Sequence, residues 1–230
     1  MKHLKLLRLK HLKLKKQQKS NISQLIYMDY KGIDGTLSLC FLRGFNMQIY
    51  AFDKFNSQIK SRELLIEAIK SYCADNNIDL KEIKPVIIGD EGQKPRLSGN
   101  LSHKIYFNVS HSGSYWICAV GDKEVGIDIQ VTTPDSYEKI CNRYFTDEEK
   151  LFVAENGKTG FFRIWTRKEA WAKYHGYSIF KVINTINTVE KDRLKDSIRG
   201  ISIKEIDLFK DSICTIAIKE GDDTICLKRI

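Results

Sequence analysis

The chain contains cysteine but no arrangement of cysteines that would bind zinc. Its six cysteines form no C-x-x-C pair, and none lies with histidines at the spacing of zinc ligands. The pattern therefore gives no support to a structural zinc site. We expect free, buried thiols in a reducing cytosol.

Long apolar runs are missing as well. No stretch approaches the roughly 20 apolar residues that span a bilayer, and the longest uncharged one lies around residues 37–42. The first 20 residues are basic, but they lack the apolar region of a signal peptide. These absences predict a cytoplasmic protein that does not act on a membrane.

Acidic residues are absent from the N-terminal segment, which explains the net charge of +9. Residues 1–20 hold eight of the 38 Lys and Arg residues and no acid, so the rest of the chain has 30 basic against 29 acidic residues. A nearly neutral body argues against an extended nucleic-acid-binding surface. We interpret residues 1–46 as a disordered or artefactual extension. Binding of a polyanion through this extension is the alternative.

Hydrophobic periodicity predicts a mixture of strands and helices after residue 46. Their order lacks βαβ regularity, which favours an α+β fold. Ser61 is a candidate N-cap of the first helix, and Thr146 begins a capping box. The predicted strands cover 47–52, 86–88, 105–109, 115–120, 125–129, 201–206, 212–218 and 224–230, and the predicted helices cover 62–73, 137–144, 146–155 and 161–174.

A carboxylate interrupts the apolar strand pattern of residues 126–130. Asp128 lies between two isoleucines, and Gln130 projects from the same face two residues later. A lone carboxylate in a buried strand needs a cation. An aspartate that caps a turn or pairs with a surface lysine would also explain this segment taken alone.

The predicted helix 161–174 carries Glu169 and Lys173 four residues apart, so both side chains lie on one face. Trp165 and Trp171 flank them, which places the two charges in partly apolar surroundings. A cleft explains this combination, although a Glu-Lys pair at this spacing is also an ordinary helix-stabilising pair.

A third polar segment, residues 110–113, has the sequence Ser-His-Ser-Gly. It is either a simple turn or a loop that wraps a phosphate with its backbone N–H groups, with His111 as a further phosphate donor. Oxygen ligands, a histidine and several lysines together suit Mg²⁺ and a pyrophosphate. The three segments therefore indicate metal-assisted phosphoryl-type transfer.

These motifs resemble those of the 4'-phosphopantetheinyl transferases of the surfactin-synthetase type, over about residues 47–230. The matching segments, in order, are Gln93-Lys94-Pro95, Ser110 to Gly113, Gly126 to Ile129, and Trp165 to Lys173 with the pattern W-x-x-K-E-A-x-x-K. The resemblance implies a monomer of two similar α/β lobes, residues 47–124 and 125–230. A pseudo-twofold axis would relate the lobes, and the ligand cleft would lie between them.

The resemblance also implies roles for individual residues. Glu169 and Lys173 would be catalytic. Asp128, Gln130 and Glu169 would hold Mg²⁺. The residues implied to bind coenzyme A, with Arg62 as a local substitute for basic residues of the family, are Arg62, Lys94, Pro95, Ser110, His111 and Lys168.

The implied activity is that of a holo-carrier-protein synthase. A serine hydroxyl of an acyl, peptidyl or aryl carrier protein would attack the β-phosphate of coenzyme A and release adenosine 3',5'-bisphosphate, with Glu169 as base. Mg²⁺ and Lys173 would neutralise charge on the leaving phosphate. Gln130 replaces the family's usual glutamate, so we expect weaker Mg²⁺ affinity without loss of activity. A homologue that binds coenzyme A or carrier domains without efficient transfer is the rival hypothesis.

Overall fold

The structure is a computed structural model that describes residues 25–28, 47–79, 87–89, 93–132, 137–222 and 225–229. Most of the predicted extension 1–46 lies outside these residues, as does the first residue of the predicted strand 86–88. Within the described part of the chain, no helix is both long enough and apolar enough to cross a bilayer.

The elements alternate irregularly along the chain, and the predicted mixed α+β composition is confirmed. Every predicted strand and helix that falls on described residues has a counterpart. The strands are β1 Leu25–Met28, β2 Met47–Phe52, β3 Ile87–Ile88, β4 Arg96–Leu97, β5 Tyr106–Ser112, β6 Tyr115–Gly121, β7 Val125–Val131, β8 Val189–Glu190, β9 Arg193–Leu194, β10 Ser197–Ile198, β11 Ile201–Ile206, β12 Ser212–Lys219 and β13 Ile225–Arg229. The helices are α1 Ser61–Asp75, α2 Glu138–Tyr144, α3 Asp147–His175 and α4 Ile179–Val182.

Two local predictions about helices need correction. Ser61 is the first residue of α1 and not its N-cap, and its hydroxyl accepts a hydrogen bond from Trp116 Nε1 at 2.8 Å. The predicted helices 146–155 and 161–174 form the single helix α3, which is kinked at Gly157 (φ 59°, ψ −148°). The predicted capping box at Thr146 is confirmed, because Thr146 and Glu149 cap each other's backbone N–H groups.

The strands form two main sheets. One has five strands in the order β1-β13-β2-β6-β5, and the other has four in the order β10-β11-β12-β7. The last strand, β13, pairs in parallel with β2, so it lies in the same sheet as the first strands of the body. The predicted lobes 47–124 and 125–230, and their pseudo-twofold relation, stay predictions.

The inner faces of the two sheets share one apolar core, which includes Ile49 and Ile117 from the first sheet and Ile127 and Ile216 from the second. Helix α1 packs on the outer face of the five-stranded sheet. Helix α3 packs on the outer face of the four-stranded sheet, against β7, β11 and β12. The order of layers is therefore α1, sheet, sheet, α3.

A close backbone contact joins β7 to α3 at Gly126. A Cβ atom at this position would lie 2.0 Å from the carbonyl oxygen of Ala170 and 2.4 Å from the backbone nitrogen of Tyr174. Real Cβ atoms do not approach other atoms this closely, and both partners are backbone atoms that no side-chain rotation can move. Only glycine allows α3 to lie directly against β7 here.

We expect Gly126→Ala to lower the free energy of unfolding by about 3 kcal/mol or more, because the added methyl group must push α3 away from β7. Gly221→Ala is the matched control, since a Cβ there meets no atom within 4 Å and only the backbone conformation (φ 89°) is strained. The control should lose about 1–2 kcal/mol. Equal losses in urea unfolding would contradict the close contact.

Candidate active site

Strand alternation places the polar residues of β7 on the side of α3. Ile127 and Ile129 point into the core between the sheets, so Gly126, Asp128 and Gln130 point the other way. Asp128 is only 1% exposed. A carboxylate buried this deeply must be compensated by hydrogen bonds or a cation.

Helix α3 supplies the compensating charge. Lys173 Nζ lies 2.7 Å from Asp128 Oδ1, and the lysine side chain is 26% exposed, so the ion pair lies at the edge of the protein interior. Glu169, one turn earlier on the same face, is half-buried beside both groups. The structure thus brings together Asp128, Glu169 and Lys173, which the sequence motifs had singled out.

Burial, and to a smaller extent the nearby Asp128 carboxylate, raise the pKa of Glu169 from its ordinary value of 4.5 to about 7, while Lys173 opposes the shift. Two carboxylates in a partly buried site repel each other when both are ionised. A perturbed carboxyl group of this kind, in contact with specific charged neighbours, is typical of a functional site.

Ser110 reaches the same group of charges from β5. Its hydroxyl donates to Asp128 Oδ1 at 2.7 Å and accepts from Ile129 N at 3.3 Å and from Lys173 Nζ at 3.1 Å. The predicted phosphate-wrapping loop 110–113 is wrong in its bounds, because β5 continues to Ser112. The Ser110 hydroxyl is bonded to protein groups in this structure, and its predicted contact with coenzyme A stays a prediction.

His111 lies on the opposite face of β5 from Ser110. It is exposed, and its ring centroid lies 5.1 Å from that of Phe55. Its cross-strand partner is Trp116, which bonds Ser61 at the start of α1. Arg62 is exposed in the first turn of that helix. His111 and the N-terminal end of α1 thus lie on the same side of the five-stranded sheet.

Lys94 joins three parts of the structure. Its ammonium group is bonded to Glu124, to the carbonyl oxygen of Val125 at 2.7 Å and to that of Tyr174 at 3.3 Å. Burial lowers the pKa of Lys94, and Glu124 opposes this effect. A cavity of about 530 Å³ opens beside it, lined among others by Lys94, Pro95, Tyr106, Tyr174 and His175.

The structure contradicts the prediction that Lys168 binds coenzyme A. Lys168 and Glu149 are both 0% exposed and form an ion pair at 2.8 Å. The ammonium group also donates to the carbonyl oxygens of Ile183 and Ile186, at 2.7 and 2.6 Å. All of its hydrogen-bonding capacity is used inside the protein. Lys168 stabilises α3 and does not reach a ligand.

The oxygen donors on β7 and α3 fit Mg²⁺ in part. Asp128 and Glu169 are hard oxygen donors in one place. Gln130 directs its Nε2 at Asp128 Oδ2, at 3.4 Å, and its Oε1 at Ser112, so its amide would have to rotate to present an oxygen to a cation. No group of three or more His, Cys, Asp or Glu side chains that could hold a metal occurs among the described residues. A cation here would take its other ligands from water and substrate, as Mg²⁺ commonly does.

Sequence reasoning missed the partners that hold α3 in place. Glu149 accepts from the backbone N–H and hydroxyl of Thr188, at 2.8 and 3.0 Å, besides pairing with Lys168. Arg167 is buried and bonded to Glu205. The capping box indicated that Glu149 has a structural role, but the sequence did not predict that it pairs with Lys168 and Thr188.

Comparison with known proteins shows which enzymes part of the chain resembles. Residues 124–217, which contain β7, α3 and the charged cluster between them, match the family model of the 4'-phosphopantetheinyl transferase superfamily. The predicted resemblance to these enzymes is confirmed.

Individual relatives carry the same name. The chain is 34% identical over 116 residues to the 4'-phosphopantetheinyl transferase AcpT of Salmonella typhi, which covers 48% of this chain and 59% of the relative. It is 37% identical over 75 residues to 4'-phosphopantetheinyl transferase Sfp of Bacillus subtilis (strain 168), with coverage of 31% and 33%. It is 29% identical over 133 residues to 4'-phosphopantetheinyl transferase psf-1 of Bacillus pumilus, 56% of each chain. The matched region thus spans less than two thirds of each relative.

We expect Lys168→Ala to lower the free energy of unfolding by about 3–5 kcal/mol, because Glu149 would keep a buried charge without its partner. The matched control is Lys150→Ala on the same helix. Lys150 pairs with Asp147 at 3.2 Å, and the aspartate side chain is 97% exposed. Such a pair contributes about 0–1 kcal/mol. Equal losses in thermal or urea unfolding would contradict the buried pair.

We expect Glu169→Gln to stabilise the metal-free protein at pH 8 by about 3 kcal/mol, and by much less at pH 5. Between the pKa of 4.5 and the folded value of about 7, the folded state holds more protons than the unfolded state, so its stability falls as pH rises. The glutamine variant loses this dependence.

Unfolding in the presence of a chelator, at both pH values, measures the effect. Glu155→Gln, which changes an exposed glutamate of the same helix, controls for the loss of one negative charge. A glutamine variant at position 169 that is equally or less stable than the parent at pH 8 would show that Glu169 is not held in an unfavourable, partly buried environment.

Proposed function

We propose that this chain transfers the 4'-phosphopantetheine arm of coenzyme A to a serine hydroxyl of an acyl, peptidyl or aryl carrier protein. The observation that carries the proposal is the meeting of Asp128, Glu169 and Lys173 between β7 and α3. These residues lie in the segment 124–217 that matches the superfamily. The names of the relatives support the same reaction. We further propose a monomer that acts in the cytoplasm.

Asp128 and Glu169 are the residues that would hold Mg²⁺, with the amide oxygen of Gln130 as a weaker third donor. When bound, the cation would offset negative charge on the pyrophosphate of coenzyme A. Lys173 already lies against Asp128 Oδ1, so its ammonium group is positioned to face an anionic substrate at the same place. Gln130 adds no negative charge, which lowers the expected affinity for the cation.

The reaction requires a base for the carrier serine. The serine oxygen forms a bond to the β-phosphorus, the bond from that phosphorus to the bridging oxygen breaks, and adenosine 3',5'-bisphosphate leaves. Glu169 accepts the serine proton, directly or through a water molecule. The pKa of about 7 applies to Glu169 without a cation, and a bound cation would lower it and keep the carboxylate ionised and able to accept a proton. Lys173 offsets charge on the leaving phosphate.

Coenzyme A binding is proposed for a smaller set of residues than the motifs suggest. His111 and Arg62 are exposed on one side of the five-stranded sheet, near the N-terminal end of α1, where positive side chains and the helix dipole favour phosphates. Pro95 is exposed beside the 530 Å³ cavity. Lys94 would act by holding its own segment, which includes Pro95, to β7 and α3, because its ammonium group is bonded to the carbonyl oxygens of Val125 and Tyr174.

A second candidate is a homologue that binds coenzyme A or a carrier domain but transfers slowly. Two observations favour it. Gln130 removes one negative charge from the cation site, and Lys173 contacts the Asp128 oxygen that a cation would otherwise use. The rival role as a polyanion-binding protein depends on the basic segment 1–20, which lies outside the described residues.

Mass spectrometry of apo carrier proteins, incubated with coenzyme A, Mg²⁺ and the purified chain, tests the proposal. We expect a gain of one phosphopantetheine group, lost with Glu169→Gln and retained with Glu155→Gln. No gain across several carriers, with coenzyme A still bound, would support the slow homologue. A gain that Glu169→Gln leaves unchanged would contradict the role of Glu169.

A further inference from the structure

Polar side chains of β5 replace a backbone ladder between the two sheets. β5 and β7 lie side by side but belong to different sheets, and the outer edge of β7 would otherwise present unpaired N–H groups. Every second side chain of β5 accepts from every second N–H of β7. The three bonds are Ile127 N to Asn108 Oδ1 at 2.8 Å, Ile129 N to Ser110 Oγ at 3.3 Å and Val131 N to Ser112 Oγ at 3.1 Å.

This side-chain ladder fixes the register of β7 against β5. Both strands advance by two residues per bond, so a slip of one residue would remove all three bonds and turn Asp128 towards the core between the sheets. Asn108 and Ser110 are both buried, at 6% exposure, where lost acceptors would not be replaced by water. The ladder therefore determines which residues of β7 face α3.

Ser110 differs from its two neighbours in the ladder, because its hydroxyl also contacts two charged groups. It donates to Asp128 Oδ1 at 2.7 Å and accepts from Lys173 Nζ at 3.1 Å. One donor and two acceptor positions exhaust what a hydroxyl can do. A single atom thus joins the backbone of β7, the carboxylate of Asp128 and the ammonium group of α3.

We infer that Ser110 is a positioning residue, whose hydroxyl holds Asp128 and Lys173 in one fixed geometry. Ser110 would influence transfer through Asp128 and Lys173, and this part of the inference rests on the proposed function. The hydrogen bonds of Ser110 to these two residues do not depend on the proposed function. Ser112 supplies the contrast, because it makes the same kind of bond to β7, and its hydroxyl donates to the uncharged amide of Gln130 at 3.4 Å and not to Asp128. If Ser110 does not hold the two charged groups, its removal should affect Lys173 no more than the removal of Ser112 does.

The test compares Ser110→Ala with Ser112→Ala in metal-free protein. Lysines are labelled with an amine-acylating reagent, and the rate at Lys173 is followed by mass spectrometry of peptides. Lys173 is 26% exposed and open to the reagent. We expect labelling about fivefold faster in Ser110→Ala, the factor that one hydrogen bond of ordinary strength represents. Ser112→Ala should leave the rate as in the parent, while both variants lower the melting temperature.

Equal labelling rates in the two variants would overturn the inference and leave Ser110 as a sheet contact. If Ser110→Ala does not fold, Ser110→Cys takes its place. Cysteine is similar in size to serine but forms weaker hydrogen bonds, so labelling of Lys173 should again be faster than in the parent. Activity gives a separate readout: Ser110→Ala should lower kcat with little change in KM for coenzyme A, and Ser110→Thr should restore part of it. If the parent modifies no carrier, the proposed function fails, and the labelling still decides the role of Ser110.

Discussion

The contact of β7 with the backbone of α3 at Gly126 is the constraint on which the site depends. Because no side chain separates them, the next residues of β7 on that face, Asp128 and Gln130, lie against the adjoining turn of the helix. Glu169 and Lys173 are supplied by that turn. Any residue larger than glycine would increase the separation and pull the carboxylates and the ammonium group apart.

Buried charges elsewhere keep α3 from rotating. Lys168 is bound to Glu149, and Arg167 to Glu205 and to the carbonyl oxygen of Lys195 at 2.8 Å. These pairs satisfy the polar groups on the faces of α3 that point into the protein. The remaining face carries Glu169 and Lys173, whose charges, together with that of Asp128, compensate each other only in part. A bound cation and an anionic substrate would compensate the rest.

Local rules explain what could be predicted from the sequence. Alternation along β7 and the four-residue spacing on α3 predicted which residues share a face, and both predictions hold for Asp128 and Lys173. Lys168 was assigned wrongly because its partner, Glu149, is 19 positions earlier and across the kink at Gly157. The contacts of Ser110 with β7 and α3 were not predicted, because no local pattern predicts contacts between distant segments.

The most direct test of the account is a crystal structure of the chain with Mn²⁺, as a substitute for Mg²⁺ that gives anomalous scattering, and coenzyme A. The account predicts one anomalous peak within about 2.3 Å of carboxylate oxygens of both Asp128 and Glu169, with the pyrophosphate beside Lys173. A peak at other residues, or coenzyme A bound away from the crossing of β7 and α3, would contradict it.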